Sequence, residues 1–266
     1  MSDYYIGWQN TAPPALARWL HRCVALLLIG ACFLAGFMIA QFQPFAAAHF
    51  EFSQPREFTG IVLEQPFPRL LVERPPTESA GRRPGYSQYW LTAPGKFGAQ
   101  ALVAGYDRQL VKLRGELVYR DDQVMVKLRP GTLERLPEEP PAHVLREDLM
   151  QPGENLGPAQ LVGEIVDGQC FLGIMKPGRG ATHRACAIRC LSGGVPPLLW
   201  ARSANGEADY YLVVGVDGRA INHELLPWAA DRIVVSGEVH RYAGFKVIRT
   251  SARDIRLADA IVAVRR

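Results

Sequence analysis

Residues 111–136 read VKLRGELVYRDDQVMVKLRPGTLERL, and residues 233–257 read IVVSGEVHRYAGFKVIRTSARDIRL. In each stretch a short turn separates two runs that are rich in β-branched and other apolar residues, a pattern typical of a β-hairpin. A Gly-Glu pair stands early in both stretches, at 115–116 and at 237–238. We therefore interpret the two stretches as the ends of two copies of one unit.

The similarity extends toward the N-terminal side of each hairpin. FTGIVLEQPFPRLLVE at 58–73 corresponds to LVGEIVDGQCFLGIM at 161–175, and the aromatic pair at 89–90 corresponds to the pair at 210–211. Each copy then has a short segment of helical character, KFGAQALVAGYD in the first and INHELLPWAA in the second. The order strand, strand, helix, strand, strand resembles that of an OB-type small barrel. The sequence therefore predicts a mainly β protein with two tandem OB-like barrels.

An uncharged apolar segment lies near the N-terminus. Residues 23–40 read CVALLLIGACFLAGFMIA, and such a length is about enough to cross the hydrocarbon core of a bilayer. Arg18 and Arg22 precede the segment, and no Lys or Arg follows it until Arg56. The positive-inside rule then predicts a single span with the N-terminus in the cytoplasm and the following domains periplasmic or otherwise extracytoplasmic. A cleaved signal peptide is the alternative, with small residues at 45–48 as the cleavage pattern.

The predicted organisation places these parts in order in the bacterial inner membrane. The parts are a cytoplasmic tail (1–22), a transmembrane helix (23–41), a first barrel (56–137), a Pro- and Glu-rich linker (138–158) and a second barrel (159–258) with an insertion (170–197). A net charge of +4 is too small to predict nucleic-acid binding, and the exterior location also argues against it. The predicted partners are the membrane, through residues 23–41, and a membrane or periplasmic protein.

The two copies differ in length at one place. The interval from Gly60 to Tyr89 is 29 positions, whereas the equivalent interval from Gly163 to Tyr210 is 47 positions. The additional residues fall where every cysteine outside the apolar segment lies, together with one histidine, in the spacing C-x12-H-x2-C-x3-C. These four residues are Cys170, His183, Cys186 and Cys190.

The residue types and their spacing predict a metal site. Thiolates and an imidazole are ligands that zinc, iron and copper accept. A helix with Thr182 as its N-cap and a glycine at 193 or 194 as its C-cap would place His183, Cys186 and Cys190 on one face, toward Cys170 at a strand end. Met175 could bind a cofactor as a thioether ligand, which would favour copper or haem iron, and iron–sulfur chemistry also uses thiolates.

Two alternatives to a metal site stay open at this point. A disulfide from Cys170 to Cys186 or Cys190 would staple the insertion, and the protein would then be a partner-binding module without a cofactor. A thiol-redox site would instead use one cysteine of lowered pKa beside Arg184. The spacing matches neither the paired C-x2-C zinc pattern nor the C-x-x-C-H haem pattern.

The stretch GEIVDGQCFLGIMKPGRGATHRACAIRCLSGGVPP at 163–197 resembles one shared by a family of uncharacterised bacterial single-span membrane-anchored proteins with OB-like domains. The resemblance rests on the Cys/His pattern and on the Gly-Gly-Val-Pro-Pro end. It implies an association with membrane or periplasmic oxidoreductases. We therefore expect an accessory or electron-transfer protein rather than an independent enzyme, since no nucleophile or acid/base constellation is visible in the sequence.

Overall fold

The computed structural model describes residues 12–41, 48–74, 85–140, 153–202, 208–242 and 244–258. The chain divides into two compact units, residues 1–45 and residues 46–266. The first unit contains one helix, and the second contains both barrels. Residues 1–11 of the predicted tail, most of the predicted cleavage pattern at 45–48 and the centre of the predicted linker lie outside the described residues.

Helix α1 spans Pro14–Gln41 and therefore begins nine residues before the predicted membrane segment. Proline is well tolerated in the first turn of a helix, and the Ala, Leu and Arg residues that follow it favour helix, so the helix starts ahead of the apolar run. Residues Pro14–Ala40 are long and apolar enough to cross a membrane. Large apolar side chains such as Leu27 and Phe33 are exposed along α1. This helix could thus anchor the protein in a membrane, and its orientation stays a prediction.

The first barrel lies between residues 48 and 135. Its strands are β1 (Ala48–Phe50), β2 (Arg56–Leu63), β3 (Arg69–Arg74), β4 (Gly85–Thr92), β5 (Leu110–Arg120), β6 (Gln123–Leu128) and β7 (Glu134–Arg135), and helix α2 (Gln100–Val103) lies between β4 and β5. Strand β2 pairs antiparallel with β3 and with β5, β3 pairs with β4, and β5 pairs with β6. A parallel pairing of β4 with β6 closes the barrel. This strand order is that of the OB fold.

The second barrel repeats this strand order. Its strands are β8 (Glu154–Asp167), β9 (Pro197–Arg202), β10 (Ala208–Gly215), β11 (Arg232–Tyr242), β12 (Phe245–Thr250) and β13 (Ile255–Leu257), with helix α3 (Arg184–Ser192) in the insertion and helix α4 (Asn222–Leu225) before β11. Strand β9 pairs antiparallel with β8 and with β10, and strand β11 pairs antiparallel with β8 and with β12. Strand β10 pairs parallel with β12. The predicted fold class of two tandem OB-like barrels is confirmed. Strand β8 begins at Glu154, inside the predicted linker.

The two barrels share one buried apolar cluster. The first barrel contributes Phe67, Trp90, Val118 and Met125, and the second contributes Val166, Phe171, Leu172, Leu198, Tyr210, Leu212, Val214, Phe245 and Val247. The rings of Trp90 and Phe245 meet edge to face with centroids 4.9 Å apart. Because burial of apolar surface contributes roughly 25 cal/mol per Å², the shared cluster stabilises the contact between the two barrels. The barrels are therefore packed against each other rather than held only by their linker.

The insertion lies between β8 and β9, at the position where residues 64–68 alone join β2 to β3 in the first barrel. It contains a π-helical turn (Cys170–Ile174), a 3-10 turn (Ala181–His183) and α3. Gly194, with a φ of 86°, ends α3, and Val195 N donates to Cys190 O, so the predicted glycine cap is confirmed. The predicted cap at Thr182 is wrong. The chain turns at Gly180, so Thr182 lies inside the 3-10 turn and His183 takes the N-cap position of α3.

Candidate metal centre

The sulfur atoms of three cysteines in the insertion lie close together. Cys170 Sγ lies 3.8 Å from Cys186 Sγ and 3.8 Å from Cys190 Sγ. Thiolates bound at about 2.3 Å to a tetrahedral zinc ion lie about 3.8 Å from one another, whereas a disulfide bond is about 2.05 Å long. All three are free thiols, so the disulfide bond considered as an alternative is not seen among the described residues. Cys170 and Cys190 are buried, and Cys186 is half-buried.

Local structure explains how the three thiols meet. Cys170 begins the π-helical turn just after β8, and Cys186 and Cys190 are one turn apart on α3. Residues four positions apart on a helix lie on the same face. That face is directed toward the end of β8, as the helical pattern in the sequence indicates.

His183 joins this cluster from the turn before α3. One of its ring nitrogens lies within 4.8 Å of the sulfurs of Cys170 and Cys186. Its Nε2 lies 2.9 Å from Asp167 Oδ2, and the imidazole is buried. A histidine that ligates a metal usually donates its other ring N–H to a carboxylate or carbonyl. Asp167 would thus hold the tautomer in which Nδ1 carries the free lone pair.

Asp167 is fully buried and has a second partner. Its Oδ1 accepts a hydrogen bond of 2.7 Å from the backbone N–H of Cys170. One carboxylate therefore orients both a thiol-bearing turn and an imidazole. The Cys/His spacing alone does not predict this role of Asp167. The available signal was its position at a strand end, three residues before Cys170, where an aspartate caps the first turn that follows.

We expect Asp167→Asn to lower metal affinity about 10- to 100-fold, because loss of the carboxylate leaves the ring of His183 less well oriented. Affinity can be measured by competition with a chromophoric chelator. Asp209→Asn is a matched control, since Asp209 bonds to Lys246 and Tyr211 in the second barrel, away from the thiols. Equal affinities for Asp167→Asn and wild type would contradict an orienting role for Asp167.

The first barrel also supplies a group to the site. Lys96 Nζ lies within hydrogen-bond reach of Cys186 Sγ. This hydrogen bond raises the pKa of Lys96. The segment that carries Lys96 is bonded to the end of α3, since Gly98 N donates to Gly193 O at 2.9 Å and Gln100 Nε2 donates to Gly194 O at 2.8 Å. No sequence pattern predicts this contact, because it depends on how the two barrels pack.

The environment of Cys170 opposes its use as a redox nucleophile. A hydrogen bond to Cys190, burial and the nearby Asp167 raise the pKa of the Cys170 thiol. A thiol held protonated is a poor nucleophile, whereas a metal ion can displace its proton. Arg184, expected to lower the pKa of a neighbouring cysteine, instead pairs with Asp231 and donates to Pro227 O at 2.8 Å.

Met175 lies at the solvent side of the cluster. Its Sδ is 3.5 Å from Cys186 Sγ, and its backbone N–H donates to Cys170 O at 3.4 Å. The residue is 43% exposed. The fold thus brings the Met175 thioether beside Cys186. Of the predicted ligands, Cys170, His183 and Cys186 form one close group, and Cys170 and Cys190 form another with Asp167, so the ligand set stays a prediction. Among protein-family models and curated proteins, none matches the chain.

Proposed function

We propose that this protein is a membrane-anchored accessory or electron-transfer protein whose second barrel binds a metal ion. Cys170, His183, Cys186 and Cys190 are the proposed ligands, and zinc, iron and copper are the candidate metals. The protein would work with a membrane-associated oxidoreductase on the extracytoplasmic side of the bacterial inner membrane. The observation that carries the proposal is the approach of Cys170 Sγ to within 3.8 Å of two further free thiols, beside a buried His–Asp pair.

A single ion fits these distances better than a larger group. Sulfurs 3.8 Å apart can share one metal ion, whereas an iron–sulfur cluster distributes its cysteine ligands over several iron atoms. The backbone also leaves little room for a macrocycle such as haem. A Cβ placed on Gly178 would lie 2.6 Å from Phe171 Cα, so this loop packs directly on the turn that carries Cys170.

The position of the site supports an accessory or electron-transfer role. One side of the cluster is sealed by buried residues, and the other side carries half-buried Cys186 and exposed Met175. A partner could therefore approach the metal closely from that side. Helix α1 would anchor the protein in the membrane that holds such a partner. The resemblance of residues 163–197 to an uncharacterised family, which implies an association with oxidoreductases, is the basis for proposing this kind of partner.

The experiment is a metal analysis of the full-length protein, purified in detergent under anaerobic, reducing conditions. We expect about one metal ion per chain, and a visible absorption spectrum that separates zinc from iron and copper. Cys186→Ser should lower metal affinity at least about tenfold, because it removes the ligand on the open side. Cys32→Ser, in α1, should leave the affinity unchanged. A metal-free wild type with one disulfide would overturn the proposal in favour of a partner-binding module.

A further inference from the structure

The solvent side of the metal centre carries a thioether. Met175 Sδ lies 3.5 Å from Cys186 Sγ, which itself lies 3.8 Å from Cys170 Sγ. Methionine commonly fills gaps in a core, but a residue that is 43% exposed fills none. Its sulfur nevertheless contacts the thiol of Cys186. The arrangement places three sulfur donors in a row that runs from buried Cys170, through half-buried Cys186, to exposed Met175.

The donor types along this row discriminate between metals. Zinc is bound by thiolates, imidazoles and carboxylates, and thioethers are not among its usual ligands. A neutral, polarisable thioether is a soft donor that selects copper(I). Met175 therefore adds nothing to a zinc centre and adds a preferred ligand to a copper(I) centre.

The first barrel places a cation beside the thiols. Copper(I) carries one positive charge and zinc carries two. The same set of thiolates therefore keeps more net negative charge around copper(I) than around zinc. Lys96 Nζ lies within hydrogen-bond reach of Cys186 Sγ. A cation there offsets part of the thiolate charge whichever metal is bound, so the choice between copper(I) and zinc rests on Met175.

We propose that the metal is copper(I), bound by Cys186 and Met175 on the open side and by Cys170 on the buried side, near Cys190 and His183. This assignment rests on the proposed metal-binding function and names its metal and a thioether donor. Met175 is the residue that distinguishes copper(I) from zinc, because its loss removes a soft ligand and leaves the thiols and the imidazole in place.

The test titrates full-length, metal-free protein in detergent with copper(I) against a chromophoric copper(I) chelator, and separately with zinc(II) against a zinc dye. Met175→Leu keeps an apolar side chain of similar size and removes the thioether. Met38→Leu, in α1, is the matched control. We expect Met175→Leu to weaken copper(I) binding at least about tenfold and to change zinc binding less than about twofold, while Met38→Leu changes neither.

X-ray absorption at the copper edge provides a second readout that does not depend on affinity. Met175→Leu should lose one sulfur neighbour of copper relative to wild type. Copper(I) affinity and sulfur count that are unchanged in Met175→Leu would overturn the copper assignment while leaving a metal-binding function intact. Wild-type protein that binds neither metal would overturn both the assignment and the proposed function.

Discussion

Replacing Phe171 with alanine should lower the free energy of unfolding by about 3–5 kcal/mol, the usual cost of removing a buried aromatic ring. Phe171 is fully buried in the apolar cluster between the barrels. Its ring centroid lies 5.9 Å from that of Trp200 and 6.0 Å from that of Tyr210. The guanidinium of Arg120 lies 3.9 Å from the ring centroid. The substitution would thus remove packing between the barrels and a cation–π contact from the first.

Urea unfolding of the full-length protein in detergent, followed by circular dichroism, measures this loss. Phe52→Ala is the matched control, because the same atoms are removed from a side chain that is 67% exposed. Its cost should be at most about 1 kcal/mol. If Phe171→Ala cost no more than Phe52→Ala, the ring would not be part of a packed interface.

Replacing Cys170 with serine should lower metal affinity at least about 1000-fold, which corresponds to about 4 kcal/mol. Cys170 is the one thiol whose sulfur lies 3.8 Å from each of the other two. A serine hydroxyl is a hard donor that stays protonated, so it does not replace a thiolate for a soft or borderline metal. The loss should exceed that of Cys186→Ser, since Cys170 is buried and occupies the centre of the cluster.

Competition with a chelator measures the affinity, and circular dichroism establishes that the variant is folded. Cys23→Ser is a control that changes the same atom in α1. An affinity within tenfold of wild type in folded Cys170→Ser would show that the metal, where bound, does not use this thiol.

Much of the fold could be predicted because its signals are local in the sequence. Alternating apolar residues and short turns mark the strands, and the Gly-Glu landmarks align the two hairpins before any pairing is known. The helical spacing of Cys186 and Cys190 likewise places both on one face of α3. These features depend on neighbouring residues, and the pattern of the sequence records them directly.

The remaining features depend on contacts between distant residues. Lys96 reaches Cys186 across 90 positions, and the shared cluster joins strands of both barrels. Asp167 lies near Cys170 in sequence, but its bond to His183 requires the insertion to fold back on β8. The early start of α1 and the start of β8 at Glu154 show that element ends, where propensity changes gradually, are also hard to predict.

The hydrogen bonds between the first barrel and the insertion bear on how long the protein would survive in a cell. Gly98 and Gln100 bond to the carbonyl groups of Gly193 and Gly194, immediately after the helix that carries two of the proposed ligands. A metal that stabilises this helix would therefore stabilise the attachment of one barrel to the other. Proteases cleave segments that open locally, and chains without metal would open more often. Binding of the proposed metal would then slow proteolysis, and chains without metal would be cleaved sooner.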